Sequence, residues 1–393
     1  MSNRLMLVLG IRPDVIRASL LIPRLKQSLG QNLIFVWSGQ HYSHNLKDVF
    51  FSQLSVPKPD IELQPDTKSE TALIGNLIEG LGQLLLREQP AACCFLGDTN
   101  TVLGSLACAS LNIPVIHIEG CMRSYDWRMP EEKYRTVIDH LSDVIYAYLP
   151  AYKEQGLAEG LDTRQIVVTG NPIVDVIDHY FRSGKIRLSS QSRRELFRRL
   201  NVGDQNQPFA LMTCHRRENV ENPTSLRRVM NLVRACGYQV VFPASYRTQR
   251  SLSEFGITPP SNLLLTDPIG YVEFLELLDG CAYVLTDSGT VVEEAAVLGT
   301  PSVQMRLSTE RPEVYEWGAS IKFDPTIDYS PSELLHVHEE VKALASRSWT
   351  HQFGDGKASE RIAEDLLLRL NNPSTLKGHK PHGSGKPFSR NWQ

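Results

Sequence analysis

Short apolar runs alternate with stretches of helical length from end to end of this chain, and that alternation limits the fold more than any other feature. Six runs come first: "LMLVLG", "NLIFVWSG", "AACCFLGD", "IPVIHIEG", "DVIYAYLP" and "IVVTGNP". The polar interval "RSGKIRLSSQSRRELFRRLNVGDQNQP" separates them from five more: "FALMTCH", "YQVVFPA", "NLLLTDP", "AYVLTDS" and "PSVQMR". Apolar strands joined through helices require right-handed crossovers and parallel sheets. The expected fold class is therefore α/β, with two Rossmann-like domains whose parallel sheets face each other across a cleft. A length of 393 residues agrees with two domains of comparable size. The expected boundaries are 1–171 for the first domain, joined by a C-terminal helix at about 354–371, and 172–353 for the second. The remainder, 372–393, is rich in Gly, Pro, Ser and Lys and reads as disordered.

Composition narrows the function classes. Apolar residues make up 41% and charged residues 22% of the chain, which suits a globular protein, and the net charge of −3 argues against a nucleic-acid backbone binder. The basic run "SRRELFRRL" reads as an amphipathic helix with a solvated face. No apolar stretch approaches the roughly twenty residues of a membrane span, and the opening run is too short for a signal peptide. The seven cysteines, odd in number and without metal-ligand spacing, suggest reduced thiols in a cytoplasmic protein with no metal site.

The chemistry gathers where strands end. In "LVLGIRPDVIRASL" a strand stops at Gly10, and Pro13 suits the first turn of a helix whose free N–H groups would favour an anion, with Arg12 and Arg17 adding charge. In "FLGDTNT" Asp98 ends a strand just before a helix, where N-capping explains it equally well. Glu119 directly follows "PVIHI", and a carboxylate there must be paired or functional. His117, inside that strand, reads as a satisfied core histidine. Glu131 and Glu132 start a helix after Pro130, where the helix dipole also favours acidic residues. Several carboxylates at one place suit general acid–base work, because neighbouring charges push their proton affinities apart.

The second half supplies different groups. His215, Arg216 and Arg217 follow a strand in "TCHRREN". In "YVLTDSGTVVEEA" Ser288, Gly289 and Thr290 offer hydroxyls and helix-start N–H groups, and Glu294 sits one turn further, where a carboxylate can accept from a ribose diol. Arg311 in "STERPE" adds a guanidinium able to meet a phosphate in bidentate fashion. Together these describe a site for a nucleotide diphosphate.

At these residues the chain resembles the non-hydrolysing UDP-N-acetylglucosamine 2-epimerase family. The resemblance runs to about residue 371 through ordered motifs: "GIRPD", "GQHY", "GDTNT", "HIEG", "MPEEKYR", "VTGNP", "HRREN", "TDSGTVVEEA", "STERPE" and "GDG". It implies the GT-B architecture and inversion at C2 of a UDP-2-acetamido sugar, by elimination and re-addition of UDP without a cofactor. Carried over by position, it makes Asp98, Glu119 and Glu131 catalytic. Arg12, Ser288, Gly289, Thr290, Glu294 and Arg311 become UDP contacts, with Phe274 near the uracil; Arg17 and His215 join this expected set. Gln40 and His41 match a region that holds an activating second UDP-sugar in bacterial members. A homodimer, cytoplasmic and serving surface-polysaccharide synthesis, is also implied. Departures include Ile11 and Asp14 in the first turn, "EGCMRS" for "EAGLRS", "YSHN" for "REM", Thr290 for a glycine, and Ser245 where the family carries a histidine. Similarity to the branch acting in N-acetyl-L-fucosamine synthesis implies that a modified UDP-hexosamine is a possible substrate. Other readings are a hydrolysing 2-epimerase, whose "HGGE" run is here "HIEG", a GT-B glycosyltransferase, and a non-catalytic UDP-sugar binder.

Overall fold

The structure, a computed structural model, describes residues 3–39, 51, 53–65, 68–202 and 207–376. It divides into two compact units: one holds residues up to Asp175 and those from Phe353 onward, the other Val176–Gln352. Each unit has a parallel sheet.

In the first unit the strands are β1 (Leu5–Leu9), β2 (Leu33–Trp37), β3 (Ile61–Glu62), β4 (Ala92–Leu96), β5 (Val115–Ile118), β6 (Val144–Ala147) and β7 (Ile166–Val168). Their order is β3-β2-β1-β4-β5-β6-β7, with every neighbouring pair parallel. β1, β2 and β4 are buried along their whole length, as helices on both faces demand. Chain order reverses between β1 and β4. Loops leaving their carboxyl ends therefore diverge to opposite faces and open a crevice, the usual ligand position in such sheets.

In the second unit the strands are β8 (Phe209–Thr213), β9 (Gln239–Pro243), β10 (Leu263–Thr266), β11 (Tyr283–Thr286), β12 (Ser302–Met305) and β13 (Ser320–Phe323), in the order β10-β9-β8-β11-β12-β13. All pairs are parallel. The reversal falls between β8 and β11. The doubly wound α/β class expected from the alternating runs is what forms in each unit. Two strands were not foreseen. β3 is two residues long, and β13, at the sheet edge, carries the exposed Lys322 in mid-strand instead of presenting an apolar run.

The chain leaves the first unit beside its point of return. Asn171 N–H bonds the Phe353 carbonyl at 2.7 Å. A Cβ on Gly354, which has a φ of 128°, would stand 3.2 Å from the Gly170 α-carbon, so glycine is required there. Asp175 then accepts from the Ala358 and Ser359 N–H groups at 3.1 and 2.6 Å, capping the helix Ala358–Asn371. That helix packs on Leu21–Leu29 of the first unit and gives Asp365 to the Tyr146 hydroxyl at 2.8 Å. The disordered tail expected from residue 372 needs correction at its start. Pro373–Leu376 forms a 3-10 turn, because Leu376 finds an apolar site and is buried; residues 377–393 lie outside the described residues.

Removing the Asp175 carboxylate leaves two buried N–H groups without their acceptor. Asp175→Ala should lower stability by about 1–2 kcal/mol in urea unfolding, as for other lost helix caps.

Candidate active site

The first unit gathers its polar groups at the switch between β1 and β4 and along the end of β5. Gly97 follows β4 with a φ of 83°. A Cβ on it would stand 3.3 Å from Arg17 Nη2, 3.4 Å from Asp14 Oδ1 and 3.6 Å from Glu119 Oε2. Three ionisable side chains thus close around one α-carbon. Asp14 is fully buried and accepts from the Gly10 and Ile11 N–H groups, each at 3.2 Å. Arg17 bonds Asp14 at 3.2 Å and also Glu119.

The Gly10 and Ile11 amides before the first helix, Arg12–Ala18, meet the chain's own Asp14, and Arg17 is turned inward onto two carboxylates. Arg12 is partly buried, and that burial lowers its pKa.

Glu119 takes a φ of 80°, a left-handed conformation unusual for a residue with a side chain. Strain of this kind is held only where the surroundings impose it. Here His117 and Asp139 do so. His117 Nε2 donates to the Gly97 carbonyl at 2.8 Å, and Nδ1 meets Asp139 Oδ1 at 2.7 Å. The other Asp139 oxygen accepts from Cys121 N–H at 2.9 Å and Arg123 Nη1 at 2.6 Å. Burial alone would raise the Asp139 pKa, but His117 and Arg123 outweigh it and hold it below the carboxylate range. His117 is thus a satisfied core histidine, as read from the sequence, and it fixes the ends of β4 and β5 relative to each other.

Asp98 remains partly exposed and pairs with Arg135, which is buried. Arg135 also bonds Glu132 at 3.1 Å. Glu132 accepts from Ser124 N–H and Tyr125 N–H at 3.0 and 2.7 Å and from the Ser124 hydroxyl at 2.8 Å. Of the adjacent acidic pair, Glu132 therefore anchors the loop after β5, while Glu131 stays partly accessible. Gln40 and His41 lie outside the described residues.

In the second unit the switch between β8 and β11 carries the corresponding groups. Asp287, fully buried after β11, accepts from His215 N–H at 3.1 Å, Arg216 N–H at 3.0 Å and Asn219 Nδ2 at 3.1 Å. Burial opposes its charge, yet His215 and these donors hold its pKa low. His215 is half exposed, with Nδ1 3.3 Å from Asp287.

Ser288 caps the helix Gly289–Leu298, its hydroxyl accepting from Val291 N–H at 3.5 Å. Thr290 is partly exposed at the same turn. Glu294, one turn on, accepts from the Tyr271 hydroxyl at 2.9 Å. Phe274 is partly buried on the helix Tyr271–Gly280.

Arg311, the expected phosphate contact, meets carboxylates of its own unit. It is buried, donating through Nε to Glu293 at 2.6 Å and through Nη1 to Glu310. A Cβ on Gly289 would stand 2.3 Å from Arg311 Nη1, so Arg311 is packed under the helix start. Ser245 caps the helix Tyr246–Glu254, accepting from Thr248 N–H at 3.2 Å. Ser245 itself supplies no group that titrates near neutral pH.

Sequence reasoning missed Asp14 as the partner of Arg17, Arg135, Asp139, Asp287 and Glu310. The usable signals were the i,i+3 spacings Asp14–Arg17 and Glu132–Arg135, which place opposite charges on one helix face. Among the described residues no cluster of His, Cys, Asp and Glu is arranged to hold a metal ion.

A sequence model described as UDP-N-acetylglucosamine 2-epimerase matches residues 24–367. The chain belongs to that family. The UDP-N-acetylglucosamine 2-epimerase of Methanocaldococcus jannaschii is 34% identical over 92% of this chain and 98% of its own. The family also includes the UDP-2,3-diacetamido-2,3-dideoxy-D-glucuronate 2-epimerase of Pseudomonas aeruginosa, 30% identical over 92% of this chain and 99% of its own. The M. jannaschii enzyme has been solved with UDP-GlcNAc and UDP. That structure superposes with a TM-score of 0.82 at 31% identity, covering 93% of this chain and 99% of that one. The GT-B architecture is thus shared within this 2-epimerase family.

Burial pushes the Asp14 pKa up to about 6, ahead of the lowering by Arg17 and the two amides. For an acid raised in the folded state, the stabilisation is complete below the unfolded pKa and is lost as pH rises through the folded one. Between pH 4 and 7, Asp14→Asn should therefore gain on the wild type by about 2.4 kcal/mol in unfolding free energy, at about 1.4 kcal/mol per unit. Denaturant titrations across that range measure the slope.

Proposed function

We propose that this protein is a UDP-2-acetamido-sugar 2-epimerase, inverting C2 of UDP-GlcNAc or a modified analogue. The observation that carries the reading is the pair Asp98 and Glu119, carboxylates at the ends of neighbouring strands, each pinned by its own buried arginine. One carboxylate takes the C2 proton, its electron pair forms the C1–C2 double bond, and the C1–oxygen bond breaks with both electrons leaving on UDP. Another carboxylate then returns a proton to the opposite face of C2 as UDP re-adds at C1. Asp98, Glu119 and Glu131 are assigned this proton traffic.

Ser288, Gly289 and Thr290 at the helix start are assigned to the diphosphate, Glu294 to the ribose diol and Phe274 to the uracil. Arg12 and His215 are proposed to lie close to the phosphates. Arg311 is assigned a supporting role beneath the helix start. Two relatives support leaving either sugar in the proposal: one is named for UDP-N-acetylglucosamine and the other for a 2,3-diacetamido uronate. We place the protein in the cytoplasm as a homodimer supplying polysaccharide precursors. Six of its seven cysteines are buried and all are unpaired, in keeping with a reducing compartment. No helix among the described residues is long and apolar enough to cross a membrane.

Incubation with UDP-GlcNAc and a panel of UDP-hexosamines in deuterated water should place deuterium at C2 and yield the 2-epimer still joined to UDP. Release of free sugar would indicate a hydrolase, an acceptor requirement a transferase, and binding without exchange a sensor. Asp98→Asn and Glu131→Gln should each lower exchange by at least 100-fold, on the scale of a lost general acid or base, while UDP still binds. Gly289→Ala should weaken UDP binding at least tenfold by calorimetry, because the added methyl drives Arg311 out from under the helix start; unchanged affinity removes that helix from the nucleotide site.

A further inference from the structure

Two buried guanidinium groups in the first unit are built alike. Arg17 follows Asp14 by one helical turn and reaches from it to Glu119. Arg135 follows Glu132 by one turn and reaches from it to Asp98. Each arginine joins a carboxylate of its own helix to a carboxylate at a strand end.

The two own-helix carboxylates are not equivalent. Glu132 is met by two amides and a hydroxyl besides Arg135, with the shortest of these bonds at 2.7 Å. Asp14 has two amides at 3.2 Å and Arg17 at 3.2 Å, and it is wholly buried. The charged groups bearing on it are Arg17 of its own helix, Asp98 after β4 and, through Arg17, Glu119 after β5. Gly97 leaves Arg17, Asp14 and Glu119 packed around its bare α-carbon.

We propose that Asp14 is a positioning residue that governs how tightly Glu119 holds a proton, by competing with it for the guanidinium of Arg17. When Asp14 is ionised, two carboxylates divide one cation and the triad carries a net negative charge. When Asp14 is neutral, the whole charge of Arg17 faces Glu119 and favours its ionised form. The two carboxylates then titrate as a linked pair. Burial places the Asp14 transition near 6, so the linkage acts close to neutral pH. The proposal rests on the epimerase reading, in which proton exchange at C2 needs one carboxylate ready to accept and another ready to donate. Unequal partners for Arg17 and Arg135 are a means of setting Glu119 and Asp98 apart.

The test uses the full-length protein. Asp14→Asn keeps an oxygen able to accept from Gly10 and Ile11 but carries no charge. The pH profile of C2 deuterium exchange on UDP-GlcNAc should have one limb displaced to lower pH by about half to one unit, the size of a modest charge effect. KM should stay within about twofold, and Asp14→Glu should return the wild-type profile. A profile that keeps its limbs, whatever its height, or a limb displaced upward, overturns the proposal and leaves Asp14 a helix cap.

A second measurement needs neither turnover nor that variant. In carboxyl-labelled protein the carbon-13 signal of Asp14 is titrated in the wild type and in Glu119→Gln. A lower Asp14 midpoint in Glu119→Gln supports the competition, because Arg17 is then no longer shared. An unmoved midpoint overturns it. Wild-type protein that exchanges no C2 proton on any UDP-2-acetamido sugar would overturn the epimerase reading, and with it the catalytic role given to Asp14. The titration still reports the coupling itself, so the two failures are distinguishable.

Discussion

A carboxylate taken out of water at the end of a buried strand must meet a cation or several N–H donors, and that requirement organises both units. After β4 Asp98 meets Arg135, after β5 Glu119 meets Arg17, and after β11 Asp287 meets three donors from the turn after β8. Each pairing ties a strand end to a helix or loop that the sheet alone would leave to choose its own path. Because chain order reverses beside β1 and β4, and again beside β8 and β11, these ties fall where parallel sheets open a crevice. Stability of the loops and placement of the reactive groups have one origin.

The same ties hold the backbone in conformations it would not adopt unaided. Glu119 stays left-handed because His117 and Asp139 grip the strand before it and the turn after it. A residue fixed in this way loses little freedom when a substrate binds, which is the advantage of a preorganised site. Gly97 and Gly289 serve differently. Gly289 lets a guanidinium approach the backbone more closely than a side chain would permit, and Gly97, with its positive φ, leaves room for the tight approach of Arg17.

Much of the fold was legible because its signal is repetitive. Apolar runs at helical spacing specify a parallel sheet wherever they occur, and both sheets followed. Ile61–Glu62 was too short to register, and Ser320–Phe323 lies at an edge where Lys322 faces outward, so neither looks like a buried strand. Strand-end residues were also legible, since position relative to an apolar run marks them. Their partners were not. Asp98 and Arg135 are 37 positions apart, and Arg17 and Glu119 are 102 apart, so only the folded chain shows that these charges meet. The partners of Arg311 were hidden for a related reason. A guanidinium beside a helix start suits a phosphate equally well in sequence, and only the positions of Glu293 and Glu310 show it engaged beneath the turn.

That inward engagement bears on how the proposed reaction can run. Elimination frees UDP while the sugar turns over its C2 centre, so the diphosphate must be kept in place without being gripped too tightly to attack again. A guanidinium committed to two carboxylates adds little net charge toward a ligand. The helix start, capped by Ser288 and supported from below, instead offers neutral amides fixed in direction. At Ser245 a capping hydroxyl, which does not titrate near neutral pH, stands where the family resemblance leads one to expect a histidine. Proton chemistry is then left to the carboxylates of the first unit, where two arginines are divided among four acids. The division of labour in the proposed reaction is electrostatic: fixed dipoles would hold the leaving group, and shared cations would leave the acids free to differ.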